Sequence, residues 1–241
     1  MAAAPKKPAI LDLSYILMRT NPDQQMQRTQ EFIVKSVKPA LQKAGAGTVG
    51  LFTNLIGEDN PRMLVVVSYE SLARMEQVEE KLRADQDLEK AAKAFYGHPA
   101  LPFERLERAL LRGFDTMPDI EVPPAREGGG SRIFELRRYE SDTAASLATK
   151  VHMFDNGEID IFRRTGLTPV FFGRMIVGTK MPNLTYMIAF DSLADREASW
   201  SKFGSHPDWQ KLRSEPRYAD TAIVSNISNS IFRPVNGSDI R

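Results

Sequence analysis

The chain has 241 residues, 42% apolar and 26% charged, which fits one large domain or two small ones with a real core. Its 32 basic and 31 acidic residues nearly cancel, with no run of like charges, so nothing argues for nucleic acid or an anionic membrane surface. The lack of cysteine excludes disulfides, thiolate nucleophiles and zinc–thiolate sites, and no apolar run reaches the ~18–20 residues of a membrane span.

The opening Met1-Ala2-Ala3-Ala4-Pro5-Lys6-Lys7-Pro8 is no complete signal peptide. It reads as a frayed terminus or as small residues left after signal removal, so both a cytoplasmic and an exported location stay open. Ile10 to Met18 reads as a strand. Asn21-Pro22-Asp23 can start a helix, along which Met26, Ile33, Val37 and Leu41 recur at helical spacing until Gly45-Ala46-Gly47 ends it. Val49 to Ile56 and Met63 to Tyr69 form a hairpin across Gly57 to Pro61. Helical sequence runs from Ser71 to about Phe95, and Ala109 to Phe114 closes the unit as a strand. Met117-Pro118 through Pro123-Pro124 to Gly128-Gly129-Gly130 reads as a linker, since no strand precedes those glycines and no helix follows to make a phosphate loop.

A second unit follows. Arg132 to Tyr139 is a strand, Ser141 or Asp142 caps a helix to about Arg164, and Gly166 ends it. Pro169 to Val177 and Leu184 to Phe190 form a hairpin, helical pieces cover 194–203 and 207–214, and Thr221 to Phe232 is the last strand. The two units are repeats. Pro61 to Ala73 and Pro182 to Ala194 share turn, apolar strand, acidic residue and Ser-Leu-Ala at an offset of 121 positions (Pro61 to Pro182). His98-Pro99 matches His206-Pro207 at an offset of 108, so the first unit carries an extra ~13 residues in its second helical region.

Each unit reads β-α-β-β-α-β, a ferredoxin-like module, giving an α+β chain with modules over 9–116 and 132–241 joined by a linker over 117–131. Such a sheet carries helices on one face, and its other face must also be covered. Either the two sheets of one chain pack together as an internal pseudo-dimer, or each pairs with a copy in another chain.

The residues Phe134-Glu135-Leu136-Arg137-Arg138-Tyr139, Asn156-Gly157-Glu158, Pro169 to Gly173, Met181 to Met187 and Phe203-Gly204-Ser205-His206-Pro207-Asp208-Trp209 carry a resemblance. Together with Ile223 to Asn226 and Arg233-Pro234, they make residues 131–241 similar to a NIPSNAP domain. The first unit is divergent, with Ala100 and Leu101 where the second has Asp208 and Trp209. The resemblance implies a dimeric α-β barrel and further self-association, and it brings no accepted catalytic residues. Family members in animals are linked to mitochondria, vesicle traffic and damage signalling. Related barrels include haem-degrading enzymes, cofactor-independent monooxygenases and isomerases, an analogy at the level of fold.

Several residues could carry chemistry. Glu158 falls on the apolar stripe of Leu147, Val151, Phe154 and Phe162, and reads as a pocket acid or as the partner of Arg137, Arg138 or Arg174. Arg174 alternates with Val170, Phe172 and Ile176 and could bind an anion or cover the sheet edge. Arg137 and Arg138 point to opposite faces of their strand, so one faces the space between the sheets. Tyr186 sits on an otherwise apolar strand. His206 could be a general base or a haem ligand, but His-Pro is also a helix start, and His98-Pro99 repeats it. His152 lies off the stripe, and the scattered histidines form no metal-ligand motif. These features favour a binding or scaffold protein with a small apolar or aromatic ligand between the sheets and no cofactor. The rivals are a cofactor-independent monooxygenase, isomerase or dehydratase, and a haem-binding protein.

Overall fold

The computed structural model describes residues 6–20, 23–126 and 130–241. Asn21, Pro22, Gly128 and Gly129 of the sequence reading, and the first five residues, lie outside the described residues. The first half contains β1 (Ile10–Leu17), α1 (Gln25–Phe32), a π-helical turn (Ile33–Val37), α2 (Lys38–Ala44), β2 (Val49–Ile56), β3 (Arg62–Tyr69), α3 (Leu72–Arg83), α4 (Gln86–Tyr96) and β4 (Arg105–Gly113). The second half contains β5 (Ile133–Glu140), α5 (Ala144–Met153), a π turn (Phe154–Glu158), α6 (Ile159–Thr165), β6 (Thr168–Val177), β7 (Asn183–Phe190), α7 (Leu193–Ser205), α8 (Pro207–Arg213), α9 (Asp220–Ile223) and β8 (Asn226–Pro234).

The strands close into one antiparallel barrel in the order β1-β3-β2-β8-β5-β7-β6-β4. Each half contributes four strands, and two seams, β2–β8 and β4–β6, join them, each with a bulge. Bulges at the joins let the strands bend and twist enough to close. The two sheets therefore cover each other within one chain. Leu13, Phe52, Leu64, Phe134, Phe171 and Phe232 fill the interior between them, while the helices pack on the outer faces. Closure removes every free sheet edge.

The halves match closely where the sequence offset is 121. Both first helices end on a glycine in the left-handed region, Gly45 (φ 92°) and Gly166 (φ 92°). Both second helices begin at a serine cap, Ser71 and Ser192, whose hydroxyls accept the amides of Arg74 and Asp195 at 3.1 Å.

Four expectations need correction. Helix α5 is capped by Thr143, whose hydroxyl accepts the Ser146 amide at 3.0 Å, and not by Ser141 or Asp142. The expected helix from Ser71 to Phe95 is two helices, because Asp85 caps a new one by accepting the Leu88 amide at 3.0 Å. The last strand begins at Asn226, not Thr221. Ile223 is buried in α9, and its carbonyl accepts the Ser141 hydroxyl at 2.7 Å, which holds that turn helical. Finally, β4 starts at Arg105 rather than Ala109, since it pairs with β1 along its full length, Arg105 opposite Leu17. The segment after β4 is pinned to the barrel. The Pro118 carbonyl accepts the Ala9 amide at 2.7 Å, the Glu121 amide donates to Val170 at 2.8 Å, and Met117 is buried. No helix among the described residues is long and apolar enough to cross a membrane.

Candidate functional site

The outer face of the first sheet carries Asp12, Ser14 and Ile16 from β1, Val65 and Val67 from β3, and Leu106 and Arg108 from β4. Above it lie Thr29, Ile33, Val37 and Leu41, one stripe along α1, the π turn and α2. Ile33 and Leu41 join Ile16, Val65 and Val67 in one buried cluster, but the packing is incomplete. They line a cavity of about 280 Å³, mostly apolar and partly open to solvent.

Matched positions in the second half explain the space. At the offset of 121, Thr29, Ile33, Val37 and Leu41 correspond to Lys150, Phe154, Glu158 and Phe162, and Val65 corresponds to Tyr186. Sheet register aligns Asp12, Ser14 and Ile16 with Glu135, Arg137 and Tyr139, because Ile10 opposes Tyr69 as Ile133 opposes Phe190. Nearly every one of these positions is larger in the second half. There Phe154 sits 5.3–6.1 Å from the rings of Phe114, Tyr139, Phe162, Phe172 and Tyr186, and the layer is solid. The same architecture thus holds a packed layer on one side and a void on the other.

One edge of the cavity is polar. Asp12 is buried and receives Arg108 through Nε at 2.9 Å and Nη2 at 2.5 Å, while Arg108 also reaches Glu79 at 2.9 Å. Burial pushes the Asp12 carboxyl above the ordinary range, against the pull of Arg108. Burial likewise raises Tyr69, helped by the Asp12 charge. The roof is aromatic. Phe95 stacks on Phe32 at 4.3 Å, with Tyr96 edge-on at 5.1 Å to Phe95 and 6.1 Å to Phe32. Helix α4, which supplies Phe95 and Tyr96, buries none of its residues. It makes up most of the extra ~13 residues of the first unit, while the helix that follows His206-Pro207 in the second half has no counterpart after His98-Pro99.

In the second half, Glu158 is buried and its Oε2 lies 3.1 Å from Nζ of Lys150, which is buried too. Its partner is therefore a lysine on the preceding helix, not Arg137, Arg138 or Arg174. Lysine at a stripe position reaches it because eight residues make about two helical turns. Rings of Phe154, Tyr139 and Trp209 lie 4.8–5.8 Å from that ammonium. Burial raises the Glu158 carboxyl, and Lys150 only partly offsets it. Arg137 faces this layer and donates to Glu135 at 2.9 Å and to the Tyr139 hydroxyl at 3.2 Å, which also accepts from Tyr186 at 3.1 Å. Glu135 further accepts from Arg196, Trp200 and Asn229 at 2.6–2.9 Å. Burial alone would raise Glu135, yet these donors hold it below the ordinary range.

Glu158, Arg137 and Tyr186 thus converge, but in a packed layer. Arg138 faces the barrel interior. Arg174 is exposed beside Arg112 across the β4–β6 seam. It does not share a face with Val170, because the bulge between Pro169 and Phe171 turns both Val170 and Phe171 inward. His206 caps α8, its Nδ1 accepting the Asp208 amide at 3.2 Å, and His98 makes the same contact with Ala100 at 3.1 Å. The His152 ring nitrogen meets the Tyr218 hydroxyl at 2.7 Å. Among the described residues no three His, Asp or Glu side chains cluster as metal ligands.

The sequence reading missed Asp12, Thr29, Arg108 and the aromatic roof. The signal was present in the repeat itself. Extending the 121 offset back through the first helices sets small residues against large ones and marks the half with the void.

Comparisons with known proteins agree with this architecture. No curated protein matches the sequence. A candidate monooxygenase from Fusobacterium nucleatum superposes over 95% of this chain and 94% of its own, with a TM-score of 0.61 at 9% identity. An anthrone oxidase-like protein superposes over 97% and 94%, with a TM-score of 0.54 at 12% identity. A NIPSNAP family protein of unknown function from Agrobacterium tumefaciens is 19% identical over 48% of this chain and 98% of its own, with a TM-score of 0.41. The full-length likenesses establish the dimeric α-β barrel fold in a single chain. The NIPSNAP family model matches residues 17–102 and 134–239, one segment in each half. The divergent first unit is therefore covered along with the second, and the chain belongs to the NIPSNAP family.

Proposed function

We propose that the protein binds a small apolar or aromatic molecule, without a resident cofactor, in the cavity between the first sheet and its helices. The carrying observation is the void of about 280 Å³ at positions that the second half fills with Lys150, Phe154, Phe162 and Tyr186. Mostly apolar pockets with a few polar groups at one edge are the usual form of small-molecule sites. This differs in place from a ligand between the sheets, where Phe52, Phe134, Phe171 and Phe232 leave the barrel centre filled. Haem finds no histidine in the lining of this cavity. Further self-association would use helix and loop surfaces, since the sheet edges pair within the chain. A fluorescence titration with neutral 2-naphthol tests the reading. Saturable binding that the Ile33→Phe/Leu41→Phe double variant weakens is expected, and equal binding by both proteins would refute it.

The buried Asp12 carboxylate at the cavity edge favours a second reading, a cofactor-independent oxygenation in which Asp12 takes a proton from an acidic carbon or phenol. Anthrone is a suitable probe, since anthrone plus dioxygen gives anthraquinone plus water. Oxygen uptake that Asp12→Asn removes while 2-naphthol still binds would support this reading, and no uptake would leave binding alone.

A further inference from the structure

A second cavity of about 280 Å³ opens at the end of the barrel where the β2–β3 and β6–β7 hairpins lie. A smaller one of about 40 Å³ adjoins it and shares Tyr15, Arg62 and Arg138. Tyr15 and Arg138 are matched positions on β1 and β5, both pointing into the barrel. Arg62 opens β3, donates to the Ser230 hydroxyl at 2.9 Å, and holds its guanidinium 5.4 Å from the Tyr15 ring and 5.5 Å from that of Phe232.

This cluster lacks an anion. Among the described residues no carboxylate lies within 4.0 Å of Arg62 or Arg138, whereas Arg108, which also lines this cavity, is paired with Asp12 and Glu79. Nε of Arg62, Nε of Arg138 and the Tyr15 hydroxyl are all buried without a hydrogen-bond partner, and Tyr15 is only 8% exposed. Two half-buried like charges, each with a buried unpaired Nε, and an orphaned hydroxyl at one cavity are costly unless something answers them. The nearby acids are already committed. Glu58 pairs with Lys180 at 3.6 Å, and Asp59 and Glu107 pair with Arg105 at 3.3 and 2.7 Å.

We propose that this barrel mouth binds a singly charged organic carboxylate, with Arg62 and Arg138 as its cationic donors and the Tyr15 hydroxyl as a third. Planar guanidinium forks suit a carboxylate. The charge of the lining suits a monoanion: Arg62, Arg108, Arg138 and Lys180 stand against Glu58, Asp59 and Glu107, which leaves one positive charge to neutralise. The site shares Arg108 with the apolar cavity, where Asp12 and Glu79 already engage that guanidinium, and it does not depend on the reading given for that cavity.

The test is a calorimetric titration of the full chain with benzoate in buffer free of other carboxylates, beside inorganic phosphate. One benzoate per chain is expected, bound more tightly than phosphate. Arg62→Gln and Arg138→Gln should each weaken it about tenfold or more, as loss of a charge-assisted hydrogen bond does. Tyr15→Phe keeps the packed ring and should weaken binding about fivefold, the loss of one neutral hydrogen bond. Ile33→Phe should leave benzoate binding unchanged, which separates this site from the apolar cavity. The proposal falls if folded wild-type protein, checked by circular dichroism, shows no saturable benzoate binding. It also falls if the Arg62→Gln/Arg138→Gln double variant, folded by the same check, binds as wild type, or if phosphate binds more tightly.

Discussion

Giving the first half the side chains of the second should stabilise the protein while narrowing its cavity. Ile33→Phe and Leu41→Phe copy Phe154 and Phe162 onto positions 5% and 6% exposed that face the void. Each change adds three side-chain carbons, and at about 0.8 kcal/mol per buried carbon the ceiling is about 2.4 kcal/mol per site. Rotamer adjustment against Val65, Val67 and the roof subtracts part of this, since misfit in a well-packed core costs about 1–3 kcal/mol. The cavity of about 280 Å³ is far larger than one added ring fragment, so the low end applies. The double variant should gain about 2 kcal/mol, and at about 2–4 °C per kcal/mol its melting temperature should rise by about 4–8 °C. Scanning calorimetry reads the first effect and 2-naphthol titration the second. Higher stability with weaker binding is the signature of a cavity maintained against packing. A lower melting temperature would show that the side chains already close over the space, and the reasoning would fail.

Other outcomes follow from the second half. Lys150→Met or Glu158→Gln alone should cost about 3–5 kcal/mol in denaturant unfolding, whereas the double change should be neutral or stabilising, because it removes two desolvated charges together. A double variant as unstable as the singles would show that the pair is net favourable. Glu135, held low by its donors, should stabilise the fold above the ordinary glutamate pKa of about 4.3 and lose that contribution as pH falls through its own lower value. Glu135→Gln should therefore lower stability at pH 7 and flatten the acid limb of a stability–pH curve; an unchanged limb would contradict it. Asp85→Ala should cost about 1 kcal/mol through the lost cap of α4. Hydrogen exchange should quicken over Gln86–Tyr96 and not over α7, and uniform quickening would argue against α4 as a separately opening roof.

The architecture was legible because it depends on order and spacing. The 121 offset, the serine caps and the paired hairpins are local patterns, and two one-faced sheets in one chain have few ways to cover themselves. The break at Asp85 and the helical turn before β8 were not legible, since each is set by one hydrogen bond against continuous apolar pattern. Glu158 was readable as buried from its stripe. Its partner was not, because a lysine is ordinarily assigned to solvent and only the tertiary layer shows that Lys150 cannot reach it. The cavity shows only when the two units are set against each other. A void is a deficit of volume summed over several elements, and no single residue such as Thr29 or Val65 signals it.

The two seams also bear on how such a chain can change. In a barrel built from two identical subunits, any substitution strikes both sheets at once, so enlarging a pocket thins the packing twice over. Here β2–β8 and β4–β6 join unlike halves of one polypeptide. A change at Ile33 leaves Phe154 untouched. One face can hold a dense aromatic layer that secures the barrel, while the other is free to drift toward new ligands under a roof of its own.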